Sequence, residues 1–211
     1  MHWHRYSNRM NMMDTNAVHR LILLFQYIRY MRRQVIFFQG GAGQEDADAK
    51  LVASLNIKLG STYLVHYPRL PKEESPDFGR RNQIGYEISV SDDDVVLVGH
   101  SLGASMLLTY LSENTIGKKI SGIFLIATPF WNGEEDWVKA LKLRPDFAER
   151  LDKKIPLFFY HCRDDAEVPF AQFVIYKKEL PWATFREISS GGHQLANDLT
   201  VVASDIKSIK K

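Results

Sequence analysis

Three places along this chain carry residues whose types and spacing suit attack on a carbonyl group. The first is Gly99-His100-Ser101-Leu102-Gly103, set between VVLVG (95–99), rich in β-branched residues, and ASMLL, which favours a helix. A serine at the apex of a strand–turn–helix junction sits on a sharp turn that exposes its hydroxyl, and glycines on either side keep side chains from colliding there. The second place is His161-Cys162-Arg163-Asp164-Asp165, directly after an apolar run, and the third is Gly191-Gly192-His193. A hydroxyl is too weak an acid to attack a carbonyl unaided. A histidine must take its proton, and a carboxylate must orient the imidazole and offset its charge. Nucleophile, acid and base stand in the order Ser101, aspartate, His193; Asp164 and Asp165 compete for the acid's place, and spacing favours Asp165.

Each of these residues also has an ordinary structural reading. A serine before a helix caps free N–H groups, although that leaves the paired glycines unexplained. A histidine after two glycines is at home in a loop. His100 and His161 are expected to pack or hydrogen-bond near the site rather than react. Gly40, Gly41 and Gly43 resemble a phosphate cradle but lack the GK[ST] continuation of a nucleotide-binding loop. Asp92, Asp93 and Asp94 precede a strand and read as a solvated turn. No metal and no cofactor are therefore expected.

The elements that must position these groups are legible in the hydrophobic pattern. From residue 34 the chain alternates short apolar runs with helical patterns, the signature of βαβ units and a mostly parallel sheet. The expected strands are QVIFF (34–38), TYLVH (62–66), VVLVG (95–99), ISGIFLIA (120–127), PLFFYH (156–161) and TFREI (184–188). Ala47, Leu51, Leu55 and Leu59 recur at helical spacing before the stop signal of Gly60. Leu195, Leu199, Val202, Ile206 and Ile209 predict one apolar stripe on a final helix. Residues 67–81 have the proline and charge content of a long loop, with room for a short helix after Gly79. In such a sheet, functional groups gather at the carboxyl ends of the strands, where Gln39-Gly40-Gly41, Ser101, Asp165 and His193 all fall.

With 211 residues, 45% of them hydrophobic, the chain has material for one full-sized core. A net charge of +2 points to no polyanionic partner, so no nucleic acid is expected. No apolar stretch is long enough to span a membrane. The single cysteine, Cys162, has no partner for an internal disulfide, and a reducing, cytoplasmic setting is expected. Residues 1–30 set Arg5, Arg9, Arg20 and Arg29 against one acid, Asp14. They read as a basic extension outside the core, either an accessory helix or a targeting segment, with the domain proper covering residues 31–211.

Residues 31–209 resemble the α/β-hydrolase superfamily, and within it the small single-domain serine hydrolases of the retinoblastoma-binding-protein-9 and YdeN type. The resemblance rests on FFQGGAG, YPRLP, GHSLG, HCRDDAEVPF and GGHQL. It implies about six mostly parallel strands, helices on both faces, and a minimal or absent lid. It further implies Ser101 as nucleophile, Asp165 as acid and His193 as base, with the N–H groups of Leu102 and Gly41 receiving the oxyanion. The usual His-Gly of the oxyanion loop is Gln39-Gly40 here, a departure that removes no catalytic group. Phe130, Trp131 and Trp137 after the fourth strand, and Tyr67 after the second, either line a substrate pocket or pack between helix and sheet. The implied activity is cleavage of a small carboxylic ester through an acyl-enzyme, with thioesters and amides left open. The alternative is a catalytically weak binding or scaffold module of the same fold. Oligomeric state is not legible.

Overall fold

The computed structural model describes residue 20 and residues 32–41, 45–69 and 74–209, with the backbone alone for residues 45–47 and 137. The proposed extension over residues 1–30 thus falls almost wholly outside the described residues. Six strands form one parallel sheet: β1 (Arg33–Phe38), β2 (Tyr63–His66), β3 (Val95–His100), β4 (Ile120–Ile126), β5 (Leu157–Cys162) and β6 (Thr184–Ile188). All six lie where the apolar runs predict them, with ends shifted by at most one residue. Their spatial order is β2-β1-β3-β4-β5-β6. The chain therefore builds outward in one direction from β1 and in the other from β3, and the crevice between those two strands is the natural place for a ligand.

Helices cover both faces, because the central strands are apolar on both sides. On β1, Val35 and Phe37 face α1 (Glu45–Leu59) and α7 (Thr200–Ser208), packing with Leu51, Leu55, Val202 and Ile206. The alternate residues Ile36 and Phe38 face α2 (Arg80–Ser89), α3 (Ser101–Glu113) and α6 (Phe170–Glu179), among Ile84, Ile88, Met106 and Phe173. The period of two along a strand assigns each side chain to its layer. The helix allowed for after Gly79 is α2, ten residues long.

The expected single stripe on the last helix divides in two. Leu195 belongs to a separate turn, Leu195–Asn197, whose three residues have φ of 47°, 51° and 56°, and α7 proper begins only at Thr200. A left-handed turn cannot continue into a right-handed helix, so helical spacing overstated the element. Leu195, Leu199, Val202 and Ile206 are nonetheless all buried in one cluster. Between β4 and β5 the chain makes only α4 (Asp136–Lys139) and α5 (Phe147–Arg150), single turns rather than a lid domain. The outer end of the sheet is clasped by Asp205 of α7, which accepts hydrogen bonds from the Tyr160 hydroxyl (2.8 Å) and from Nε and Nη2 of Arg186 (3.0 and 2.8 Å).

Candidate active site

Strand register brings the first loop and the serine turn together. Phe38 pairs with Gly99, so Gln39 and Gly40 run on beside His100 and Ser101. Ser101 has φ 50°, a left-handed conformation that a side chain tolerates only at a cost and that here turns the strand into α3. The two flanking glycines are required by contacts on either side of it. A Cβ on Gly99 would lie 2.6 Å from the Ala104 Cα, and one on Gly103 would press into the carbonyls of Phe38 and Gln39. Gly103 thus lets the first turn of α3 approach the end of β1, where the glycine loop begins.

Asp165 and His193 are brought into contact from the ends of β5 and β6. Asp165 Oδ2 lies 2.9 Å from His193 Nδ1, and both side chains are buried. The other oxygen, Oδ1, accepts the N–H groups of Glu167 and Val168 at 2.9 Å each, which fixes the carboxylate. Burial alone would push the Asp165 carboxyl up, but the His193 hydrogen bond, the Val168 N–H and the imidazole charge leave it below the ordinary range. Burial likewise works against charge on His193, yet Asp165, Glu167 and Asp48 together raise its pKa above the usual histidine value. Asp164, the competitor in the sequence, accepts the N–H groups of Gly191 (3.1 Å) and Gly192 (2.9 Å) and so holds the loop that leads into His193.

Leu102 opens α3 directly after Ser101, and Gly41 follows the loop off β1; nothing lies within 4 Å of where a Gly41 Cβ would be. Trp131 is half-buried, and its Nε1 donates to Ser105 Oγ at 3.0 Å, one helical turn beyond Ser101. The Phe130 ring meets Tyr176 edge-on at 5.2 Å, and Tyr67 meets Phe37 edge-on at 5.8 Å. The Trp137 side chain lies outside the described residues. Cys162 is buried and its thiol is pushed up to about 11, mainly by that burial. His161 Nε2 donates to the Val168 carbonyl at 2.8 Å, and burial lowers its pKa.

Sequence reasoning missed three residues at the site, Glu167, Asp48 and Arg80, and foresaw His100 only as a neighbour. Glu167 places Oε2 3.6 Å from His193 Nε2, the nitrogen that faces away from Asp165. Asp48 accepts the Gly40 N–H at 2.6 Å and lies 2.8 Å from His100 Nδ1. Arg80 Nη1 donates to the carbonyls of Gln39 (3.1 Å) and Gly40 (2.6 Å). His100 spans from Asp48 to the His193 carbonyl, 3.1 Å from its Nε2. Asp48 and Arg80 were findable: Asp48 shares helical spacing with Leu51, Leu55 and Leu59, and Arg80 with Ile84 and Ile88. A charge on an apolar stripe is buried only when it is paired.

Among the described residues no cluster of ligating side chains suits a metal ion, and no helix is long and apolar enough to cross a membrane. A family model described as the alpha/beta hydrolase fold matches residues 89–160. The ydeN gene product of B. subtilis superposes with a TM-score of 0.65 at 18% identity, over 83% of this chain and 97% of that one. A serine hydrolase involved in carbazole degradation, the CarC enzyme, superposes with a TM-score of 0.64 at 13% identity, over 84% and 90%. Est1E from Butyrivibrio proteoclasticus, solved with ferulic acid bound, gives 0.61 at 17% identity, over 83% and 86%. No curated protein matches in sequence. Residues 89–160 thus carry the alpha/beta hydrolase fold pattern, and the chain shares its architecture with YdeN-like proteins.

Proposed function

We propose that this protein is a serine hydrolase that cleaves a small carboxylic ester through an acyl-enzyme. The observation that carries the reading is the Asp165–His193 contact at 2.9 Å at the ends of β5 and β6, together with the left-handed turn of Ser101 at the end of β3. His193 Nε2 takes the Ser101 proton as Oγ bonds to the ester carbon, and the resulting oxyanion is received by the N–H groups of Leu102 and Gly41. The protonated imidazole then gives its proton to the departing alcohol as the C–O bond breaks. Water, activated by the same histidine, attacks the acyl-enzyme; the acid is released and Ser101 regains its proton. Asp165 keeps Nδ1 protonated and stabilises the imidazolium.

The single-turn helices between β4 and β5 leave the cleft lightly covered, which favours small acyl groups over long lipids. Trp131, Phe130 and Tyr67, with Trp137 as a further candidate, are the residues proposed to wall the acyl pocket. The serine hydrolase CarC among the structural neighbours is consistent with a serine hydrolase. The buried lone thiol fits a reducing, cytoplasmic setting.

The test is labelling of the purified chain with a fluorophosphonate probe, beside Ser101→Ala and His193→Ala, followed by turnover of a short-chain nitrophenyl ester. Labelling lost in Ser101→Ala and sharply reduced in His193→Ala is the expected result. A folded wild type that neither labels nor turns over ester refutes the hydrolase reading and favours a binding role.

A further inference from the structure

The described residues contain a second buried charged group that the hydrolytic steps do not use. Asp48 and His100 are each about 1% exposed, with Asp48 Oδ1 2.8 Å from His100 Nδ1. His100 Nε2 faces the His193 carbonyl at 3.1 Å, and a carbonyl can only accept, so Nε2 donates. Asp48 Oδ2 accepts the Gly40 N–H at 2.6 Å. Burial opposes charge on Asp48, but His100, the Gly40 N–H and Gln194 leave its carboxyl below the ordinary range.

The same cluster fixes the backbone of the oxyanion loop. The Gly40 N–H goes to Asp48, and the Gln39 and Gly40 carbonyls go to Arg80. No described peptide bond is cis. In a trans peptide the C=O and the next N–H point in opposite directions, so holding the Gly40 carbonyl on Arg80 aims the Gly41 N–H the other way. Gly40 packs closely against the nucleophile: a Cβ there would be 3.2 Å from Ser101 Cβ and 3.2 Å from His100 Nδ1. His100 precedes Ser101 in the chain, and its ring centroid lies 4.8 Å from that of His193. The groups facing it are Asp48 from α1 and His193, with Arg80 of α2 beyond Asp48 and with Asp165 and Glu167 beyond His193.

We infer that Asp48, His100 and Arg80 form a buried strut that sets the oxyanion loop against the nucleophile and the base loop. The three are positioning residues, and their role rests on the proposed serine hydrolase activity.

Ester turnover of the full chain tests it. In ester turnover, His100→Gln and Asp48→Asn should each lower kcat by up to about 100-fold, the cost of misplacing a catalytic group by about 1 Å, with KM little changed. The double variant should be no worse than the poorer single, and Arg80→Lys should lose less than Arg80→Met. Folded single variants with wild-type kcat overturn the positioning role. A wild type inert to ester and fluorophosphonate refutes the hydrolase reading itself, and the strut's catalytic purpose with it.

Discussion

Replacing Gly103 by alanine tests the geometry at its tightest contact. The new methyl group would lie 2.8 Å from the Gln39 carbonyl carbon, with the oxygens of Phe38 and Gln39 nearer still. Comfortable separation between such atoms is about 3.5–4.0 Å, so α3 and the end of β1 must part by about 1 Å. The obstacle is backbone on both sides, and no rotamer change relieves it. Overpacking of this kind costs about 1–3 kcal/mol. At roughly 2–4 °C per kcal/mol for a domain this size, the melting temperature should fall by about 2–12 °C. The same displacement moves Gln39-Gly40-Gly41 away from Ser101, and about 1 Å at a catalytic centre is worth about 100-fold in rate. Scanning calorimetry and steady-state ester turnover on Gly103→Ala read the two effects separately. Gly117→Ala, where a Cβ meets nothing within 4 Å, serves as control. A Gly103→Ala protein with unchanged melting temperature and kcat would refute the claim that this glycine exists to admit β1.

The two aspartates should separate sharply: Asp165→Asn removes the acceptor at His193 Nδ1 and should lower kcat by about 10⁴-fold, whereas Asp164→Asn loosens only the Gly191–Gly192 loop and should cost far less in the same assay. Because His193 must be neutral to act and its pKa is raised, kcat/KM should rise with pH and reach half-maximum above the ordinary histidine value of 6.5; Glu167→Gln, which removes one source of that rise, should move the midpoint down. The opposite movement in a pH–rate profile would count against the contact at Nε2. Asp205→Ala strands the buried Tyr160 hydroxyl and should destabilise the fold by about 1–3 kcal/mol in urea titration without changing kcat.

The parts of this molecule that local physics decides were legible in the sequence. Parallel strands buried on both faces must be apolar throughout, and the switch from that pattern to helical spacing at Gly99–Gly103 marked the serine turn. The turn at Leu195–Asn197 was not legible, because its residues look helical and its left-handed form is imposed by what surrounds it. Glu167 and the Asp48–Arg80 pair escaped notice for a different reason. All their partners but the Gly40 N–H lie tens of residues away, and a charge on an apolar stripe shows that a partner is needed without showing which one. The choice of Asp165 over Asp164 came from spacing alone; the structure gives each a distinct task, one on the imidazole and one on the backbone leading to it.

The closure of Gly103 against β1 also limits how far this chain can be divided. A fragment of residues 89–160 contains β3, the serine turn, α3 and β4, and it coincides with the stretch that matches the alpha/beta hydrolase fold model. It lacks Phe38 and Gln39, the backbone that holds the turn from the other side, and it lacks Gly41, Asp165 and His193. Such a fragment would carry the motif without the reactivity, since the left-handed serine would have nothing to oppose its relaxation. On the proposed mechanism, reactivity of Ser101 is a property of the completed fold, and appearance of a fluorophosphonate adduct during refolding would time the docking of β1 onto β3.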